Sequence, residues 1–172
     1  MRLLELDRRL AVLARSRGHT PGSERAIAAY SRLGEHAACW LALGAVGALT
    51  SRGSRRREWG RGAGIVAASF ALNYAVKVAV RRPRPQFGGL PSLTSTVSRL
   101  SFPSAHATTS FAAARAYRGL APAPALYAAA TAFAVSRPYL GVHYPSDVLF
   151  GAALGTVIAG SWPTAASPDG QR

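Results

Sequence analysis

The sequence predicts an all-α protein: a membrane-embedded bundle of about five transmembrane helices, preceded by one or two amphipathic N-terminal helices. Apolar residues make up 49% of the 172 residues, and charged residues only 16%. The charges concentrate in the first 35 residues, in the stretch 52–61 and in a few short motifs. Five apolar runs separate these charged segments, and they are rich in the small residues that let membrane helices pack closely.

The first predicted domain, residues 1–35, is an amphipathic segment at the membrane interface. Between residues 2 and 17, leucines and a valine alternate with arginines, which is typical of a helix lying on an anionic membrane surface. A second helix is expected over 21–35, because Pro21 suits a first helical position. The alternative interpretation is a solvated basic tail.

The apolar runs predict a transmembrane domain at residues 36–163. Several are shorter than the roughly 20 residues of an isolated span, yet they lack the polar stripe that a soluble surface helix needs. A soluble bundle with alanine-rich cores is the alternative. Residues 164–172 are expected to be a disordered tail. The runs cover about 36–50, 62–80, 104–121, 123–138 and 147–162.

Three short motifs between residues 77 and 147 collect polar side chains. They read Lys-x6-Arg-Pro, Pro-Ser-x-His and Ser-Arg-x5-His-x3-Asp. Together they supply three fixed cations, two imidazoles, a hydroxyl and a carboxylate, which are the groups needed to hold and cleave a phosphate ester. Their residues are Lys77, Arg84, Ser104, His106, Arg137, His143 and Asp147.

The first motif contains the only lysine among the 21 basic residues, Lys77. It lies near the end of an apolar run, so simple snorkelling of its ammonium to the interface is the alternative to phosphate binding. Arg84 stands between two prolines, and its planar guanidinium suits two phosphate oxygens at once. Arg81 and Arg82 match no motif and are expected to face lipid headgroups.

The other two motifs predict a nucleophile beside an anion site. Ser104 is expected to be a helix N-cap, followed by N–H groups that can bind an anion, with His106 in the first turn. His143 and Asp147 are four residues apart, so the carboxylate can accept a hydrogen bond from one ring nitrogen and leave the other free to attack. The alternatives are a capping serine with an incidental histidine, and a His–Asp pair that only ties a loop to a helix.

These motifs resemble the three-part signature of the type 2 phosphatidic acid phosphatase family, which includes lipid phosphatases, glucose-6-phosphatase and vanadium haloperoxidases. The resemblance implies a phosphatase in which His143 is the nucleophile and forms a phosphohistidine, while Asp147 orients it. His106 would protonate the leaving alkoxide and then activate water. Where the family usually has glycine, this chain has Ala105, which adds only a methyl group. The phosphate would be held by the backbone N–H near Ala105 and by Lys77, Arg84, Ser104 and Arg137.

The net charge of +14 predicts an anionic partner, and both nucleic acid and anionic lipid would qualify. The apolar runs favour lipid, so we expect membrane lipids and a lipid-phosphate substrate, and no nucleic acid. Neither a cofactor nor a metal is expected, because the cationic neighbours of the two histidines would repel a metal ion. A vanadate-binding haloperoxidase and a non-enzymatic binder of anionic lipid are the alternatives. The sequence gives no oligomeric state.

Alternation of five spans across a bilayer would bring the N-terminus and all three motifs to one face. The arginines between residues 52 and 61 would then occupy a short loop on the other face, which the positive-inside rule marks as cytoplasmic. We therefore expect a multi-pass protein of the cell membrane with an extracytoplasmic active site. The arginines of the N-terminal segment oppose this orientation.

Several lipid phosphates are possible substrates. The compact length, the Ala/Arg-rich composition and the amphipathic N-terminus are similar to those of small phosphatases proposed to act on decaprenylphosphoryl-5-phosphoribose in cell-wall synthesis. Such a polyprenyl-linked phosphosugar is the expected substrate; polyprenyl diphosphate, phosphatidylglycerol phosphate and phosphatidic acid are the alternatives. Because apolar spans offer few sugar-binding groups, the site is expected to recognise the phosphate and the lipid tail more than the group between them. His19 and His36 match no motif and are expected to be ordinary interfacial residues.

Overall fold

The computed structural model describes residues 2–162, and this part of the chain folds into seven α-helices and one short 3-10 turn. The all-α prediction is confirmed. The disordered tail expected at 164–172 lies outside the described residues. The helices are α1 (Arg2–Ser16), α2 (Pro21–Leu33), α3 (Ala38–Thr50), α4 (Gly53–Val80), α5 (Ala105–Tyr117), α6 (Ala123–Tyr139) and α7 (Pro145–Ser161), and the 3-10 turn is Glu35–Ala37.

Helix α2 begins at Pro21, as the sequence predicts. Its N-cap is Thr20, whose hydroxyl accepts a hydrogen bond from the backbone N–H of Ser23 at 3.1 Å. The Ser23 hydroxyl accepts in turn from the Thr20 N–H at 3.0 Å. This reciprocal capping satisfies two N–H groups that the helix itself leaves without partners.

Helices α3 to α7 follow the five apolar runs, but the predicted arginine loop is wrong. Arg55, Arg56, Arg57 and Arg61 belong to the first turns of α4, which begins at Gly53. With 28 residues, α4 is about 42 Å long. Among the described residues it is the one helix whose length and composition suit a membrane crossing. The count of five spans stays a prediction.

Helix α5 lies at the centre of the bundle and packs against α4, α6 and α7. Glycine brings α5 and α7 together: a Cβ on Gly155 would lie 2.0 Å from the carbonyl oxygen of Thr108, and one on Gly151 would lie 2.7 Å from that of Ser104. Larger residues would push the helices apart. Because Ser104 and Asp147 stand at the starts of these two helices, this contact also brings the second and third motifs together.

The N-terminal helix α1 packs with its polar face inward. Asp7, Ala11 and Arg15, four residues apart along the helix, are buried against the protein, and Arg15 Nε donates to the carbonyl of Pro91 at 3.0 Å. The leucines point away from the bundle; the exposed fraction of Leu3 is 81%. The helix is therefore amphipathic, as predicted, with its apolar face left outside the folded protein.

Candidate active site

The three motifs meet around one cavity of about 360 Å³ at the end of the bundle where α4 ends and α5 begins. Six predicted site residues line it. Ser104 and Asp147 lie behind this lining, with none of their surface exposed. The structure thus brings together all eight predicted site residues, although the motifs are far apart in the sequence. The lining residues are Lys77, Arg84, Ala105, His106, Arg137 and His143.

His143 lies in the loop between α6 and α7, with its ring nitrogens in different surroundings. Nε2 lies 3.1 Å from Nη1 of Arg84, on the cavity side. Nδ1 lies 3.4 Å from Oδ2 of Asp147, a contact too long for a well-formed hydrogen bond. Burial and the nearby cations, Arg137 first among them, hold the pKa of His143 well below its usual value. The imidazole is therefore neutral at physiological pH.

Asp147 is held by a network that the sequence did not reveal. Its Oδ2 accepts from the backbone N–H of Tyr144 at 2.9 Å, and its Oδ1 accepts from Nη1 of Arg82 at 2.8 Å. The Arg82 guanidinium also lies over the Tyr144 ring, 4.0 Å from its centroid. The expectation that Arg82 faces lipid headgroups is therefore wrong, because it is engaged by a carboxylate at the site. Arg81 is exposed.

Asp7 of helix α1 completes this network. Its Oδ2 accepts from Nη2 of Arg82 at 2.7 Å, and its Oδ1 accepts from the backbone N–H of Ser146 at 3.0 Å. Burial alone would raise the pKa of Asp7, but the hydrogen bonds from Ser146 and Arg82 outweigh it and leave that pKa below its usual value. Asp7 is thus a carboxylate at neutral pH, and its charge compensates Arg82.

The cations of the first motif are fixed by main-chain carbonyls. Lys77 Nζ donates to Leu100, Ser101 and Pro103 oxygens at 3.1, 3.2 and 3.0 Å. Lys77 therefore fastens the segment before α5 while its charge lies on the cavity wall.

Arg84 is held in a similar way, because its Nε donates to Ser98 O at 2.8 Å and its Nη1 to Val142 O at 2.7 Å. Burial lowers the pKa of Arg84 to about 10, so the guanidinium remains charged at neutral pH. Its position between two loops fixes a positive charge beside Nε2 of His143.

His106 and Arg137 are both supported by Ser31 of helix α2. Nε2 of His106 lies 2.9 Å from the carbonyl oxygen of Ser31, which makes Nε2 the protonated nitrogen and leaves Nδ1 as the second nitrogen for proton transfer. Nη1 of Arg137 donates to the Ser31 hydroxyl. Ser31 is a second residue that sequence reasoning missed, since a lone serine on an amphipathic helix carries no signal.

Ser104 is the N-cap residue of α5, as predicted, but its side chain makes no capping hydrogen bond. Its buried Oγ has no hydrogen-bond partner among residues 2–162, and the same holds for Nε of Arg137 and Nδ1 of His143. Buried polar atoms without partners are uncommon. Here they belong to three predicted site residues and lie close to the N-terminal end of α5, where backbone N–H groups favour an anion.

The remaining histidines differ from each other. His19 stacks on Tyr139, with 4.0 Å between ring centroids, and lies outside the cavity. His36 is exposed and lines the cavity, and its place at the membrane interface stays a prediction. Within residues 2–162, no group of three or more His, Cys, Asp or Glu side chains is placed to hold a metal ion.

Comparisons with known proteins agree with this geometry. The model of the PAP2 superfamily matches residues 61–168. The decaprenylphosphoryl-5-phosphoribose phosphatase of Mycolicibacterium smegmatis is 46% identical over 133 residues, which cover 76% of this chain and 72% of that protein. The enzyme of the same name from Mycobacterium tuberculosis is 42% identical over 139 residues, covering 80% of this chain and 77% of that protein.

Two solved structures share the fold. A transmembrane PAP2 type phosphatidylglycerolphosphate phosphatase from Bacillus subtilis superposes with a TM-score of 0.73 at 22% identity, covering 92% of this chain and 83% of that one. LpxE of Aquifex aeolicus gives a TM-score of 0.67 at 20% identity, with 91% of each chain covered. The family match over most of the chain, with relatives of this identity, confirms the resemblance seen in the motifs: the chain belongs to the PAP2 superfamily.

Proposed function

We propose that this chain is an integral membrane phosphatase that removes the terminal phosphate of a polyprenyl-linked phosphosugar, with decaprenylphosphoryl-5-phosphoribose as its substrate in cell-wall precursor synthesis. The phosphatase activity is inferred from one observation: two imidazoles and three cations from three separate motifs line a single cavity. The names of the two mycobacterial relatives support the choice of substrate.

In the first half-reaction, His143 acts as the nucleophile. Its neutral Nε2 attacks the terminal phosphorus, a P–N bond forms, and the P–O bond to the sugar breaks. His106, protonated on Nδ1 when the phosphate dianion is bound, gives that proton to the departing alkoxide. Asp147 lies on the Nδ1 side of His143 and stabilises the positive charge that develops on the ring. The products of this step are a phosphohistidine and the free lipid-linked sugar.

In the second half-reaction, His106 takes a proton from water as the water oxygen attacks the phosphorus. The P–N bond breaks, inorganic phosphate leaves, and both histidines return to their starting states. In both steps Lys77, Arg84 and Arg137 stabilise the negative charge of the equatorial oxygens. The backbone N–H groups near Ala105 add the positive end of the α5 dipole.

The proposed placement in the membrane is based on residues at the outer surface of the protein. Lys77 and Arg55 lie on one helix, 22 residues apart, which corresponds to about 33 Å and thus to the apolar thickness of a bilayer. The cavity rim carries exposed Tyr74 and Val97, where a lipid tail can leave the site. The exposed leucines of α1 would lie in the same interface, so residues 1–35 act as an interfacial segment before the transmembrane domain 36–163.

Helices α3 to α7 are the five proposed spans. With the arginines of α4 on the cytoplasmic side, the active site faces outside the cytoplasm. The shorter helices span by packing against one another and by locally thinning the bilayer, because hydrophobic mismatch costs little for each ångström.

A phosphate-release assay of the purified protein in detergent tests the function. The substrates are decaprenylphosphoryl-5-phosphoribose, polyprenyl diphosphate, phosphatidylglycerol phosphate and phosphatidic acid. We expect the highest kcat/KM for the first. A clear preference for phosphatidylglycerol phosphate would overturn the substrate and place the enzyme in phospholipid synthesis, and no release from any of the four would overturn the activity.

A further inference from the structure

The 3-10 turn Glu35–Ala37 forms part of the cavity wall that His106 also lines. Gly34, directly before it, lies so close that a Cβ there would be 2.9 Å from Cδ2 of His106 and from the Phe133 ring. The next two side chains, Glu35 and His36, both line the cavity. The turn therefore holds two polar side chains beside the residue proposed to protonate the leaving group.

Both side chains are available to a ligand. Within residues 2–162, the Glu35 carboxylate makes no hydrogen bond or ion pair, although the positive charge of Arg137 is near enough to attract it. The His36 ring is exposed and meets the Phe70 ring edge-on, 6.1 Å away between centroids. A carboxylate at a cavity wall without a cation in direct contact retains its capacity to accept hydrogen bonds.

The backbone of this turn is strained. His36 and Ala37 have φ values of 53° and 60°, in the left-handed region that residues with a Cβ rarely adopt. Two such residues in succession persist only where the surrounding structure holds them, and strain of this kind is concentrated at ligand-binding sites. In this conformation Glu35 and His36 line the cavity while Gly34 packs against His106.

We propose that Glu35 and His36 form a subsite for the hydroxyl groups of the sugar next to the scissile phosphate. This inference rests on the proposed function. The alkoxide must depart past His106, and Glu35 and His36 are the polar side chains that follow His106 along this wall. A carboxylate can accept from two neighbouring hydroxyls of a pentose at once, and the imidazole can donate or accept a further bond.

The same carboxylate also discriminates against another class of substrate. A polyprenyl diphosphate carries a second phosphate in place of the sugar, and Glu35 would repel that negative charge. Such a subsite would recognise the group between the phosphate and the lipid tail, which the site was expected from the sequence to leave largely unrecognised. The polar groups come from a turn outside the apolar helices, and Ser95, Thr96 and Ser98 add hydroxyls from the loop after α4.

The test compares kcat/KM of the full chain in detergent on decaprenylphosphoryl-5-phosphoribose, decaprenyl diphosphate and phosphatidic acid. Glu35→Gln should lower kcat/KM for the ribose ester by about 10- to 100-fold, the loss expected when hydrogen bonds to a charged group are weakened. Phosphatidic acid, which has no hydroxyl at that place, should change by less than about 3-fold, and the diphosphate should become a better substrate. Glu58→Gln is the matched control, because Glu58 is exposed near the far end of α4.

Different results would overturn the proposed sugar subsite and the proposed substrate. Equal losses on the ribose ester and on phosphatidic acid, or no loss on either, would overturn the subsite while leaving the substrate intact. A wild-type enzyme that hydrolyses phosphatidic acid but not the ribose ester would overturn the substrate itself. Retained turnover of phosphatidic acid by Glu35→Gln also demonstrates that the variant is folded, so a selective loss on the ribose ester is a property of recognition.

Discussion

Arg82 and Asp7 form an ion pair of 2.7 Å between Nη2 and Oδ2, which joins the loop after α4 to the N-terminal helix. Nη1 of the same guanidinium donates to Asp147 at 2.8 Å. Asp147 faces His143, the proposed nucleophile, so the proposed catalytic pair is linked through Arg82 to a residue of α1. Arg82 is a positioning residue, because it reaches the reacting atoms only through Asp147.

Arg82→Gln should lower kcat about 100-fold with little change in KM, since a misplacement of about 1 Å at a reacting group costs on that order. Asp7→Asn should lower kcat by a smaller factor, roughly 5-fold, because it weakens one hydrogen bond of the network. Steady-state kinetics with the ribose ester measures both effects. Arg81→Gln, at the exposed neighbouring position, should leave kcat unchanged.

Conservative replacement separates positioning from folding. Arg82→Lys retains one cationic donor and should recover part of kcat. A rise in KM with kcat intact would contradict the positioning role, because it would place Arg82 in substrate binding.

The two histidines should be distinguishable by the intermediate. His143→Ala removes the nucleophile and should reduce turnover by several orders of magnitude, with no phosphoenzyme formed. His106→Ala should still form the phosphohistidine with an aryl phosphate, whose leaving group needs no proton, but should hydrolyse it slowly. Rapid quenching of the reaction with a radiolabelled aryl phosphate measures the amount of phosphoenzyme. Stoichiometric phosphoenzyme in His143→Ala would refute the assignment.

The sequence was sufficient to predict that eight residues from three motifs lie together, because their spacing repeats a family signature and because charges are rare elsewhere between residues 62 and 162. Their roles in binding and catalysis stay predictions. It could not reveal Arg82 or Ser31. Arg82 meets Asp7 across 75 positions, and Ser31 supports His106 across the same separation. Contacts of this kind depend on how helices pack and leave no local pattern. The misplaced arginine loop has a simpler cause, since a run of arginines fits a loop and the start of a long helix equally well.

The pH profile should report the neutral state of His143. The neutral form attacks, and its pKa in the folded protein lies well below 6.5, so activity is present above that pKa and is lost as the pH falls through it. The acid limb of kcat/KM that belongs to His143 should therefore lie well below pH 6.5. Because Arg137 is the foremost of the charges that depress this pKa, Arg137→Gln should move the limb upward.

The direction in which the acid limb of kcat/KM moves is informative even if Arg137→Gln lowers the overall rate. Ionisation of the substrate is common to the wild type and the variant and cancels in the comparison. A limb that moves downward, or stays in place, would contradict the electrostatic account of His143.

Catalysis should need no metal and should be blocked by vanadate. The cavity walls are cationic, which disfavours a divalent ion, and vanadate can adopt the five-coordinate geometry of the phosphoryl transition state. Dialysis against a chelator should leave kcat unchanged, while vanadate should inhibit competitively. Loss of activity on chelation with recovery on adding magnesium would overturn the assigned roles.

The topology can be tested at the two ends of α4. Ser54 lies in the first turn of this helix and Ser95 lies at the cavity in the loop that follows it. Single cysteines at these positions, in a Cys39→Ala background without other cysteines, should react differently with a membrane-impermeant maleimide in intact cells. We expect labelling at Ser95→Cys from outside and labelling at Ser54→Cys only after the membrane is permeabilised.

The Cys39→Ala protein alone gives the background. Labelling of both positions from outside would refute the crossing by α4, and labelling of Ser54→Cys alone would invert the orientation and move the active site to the cytoplasm.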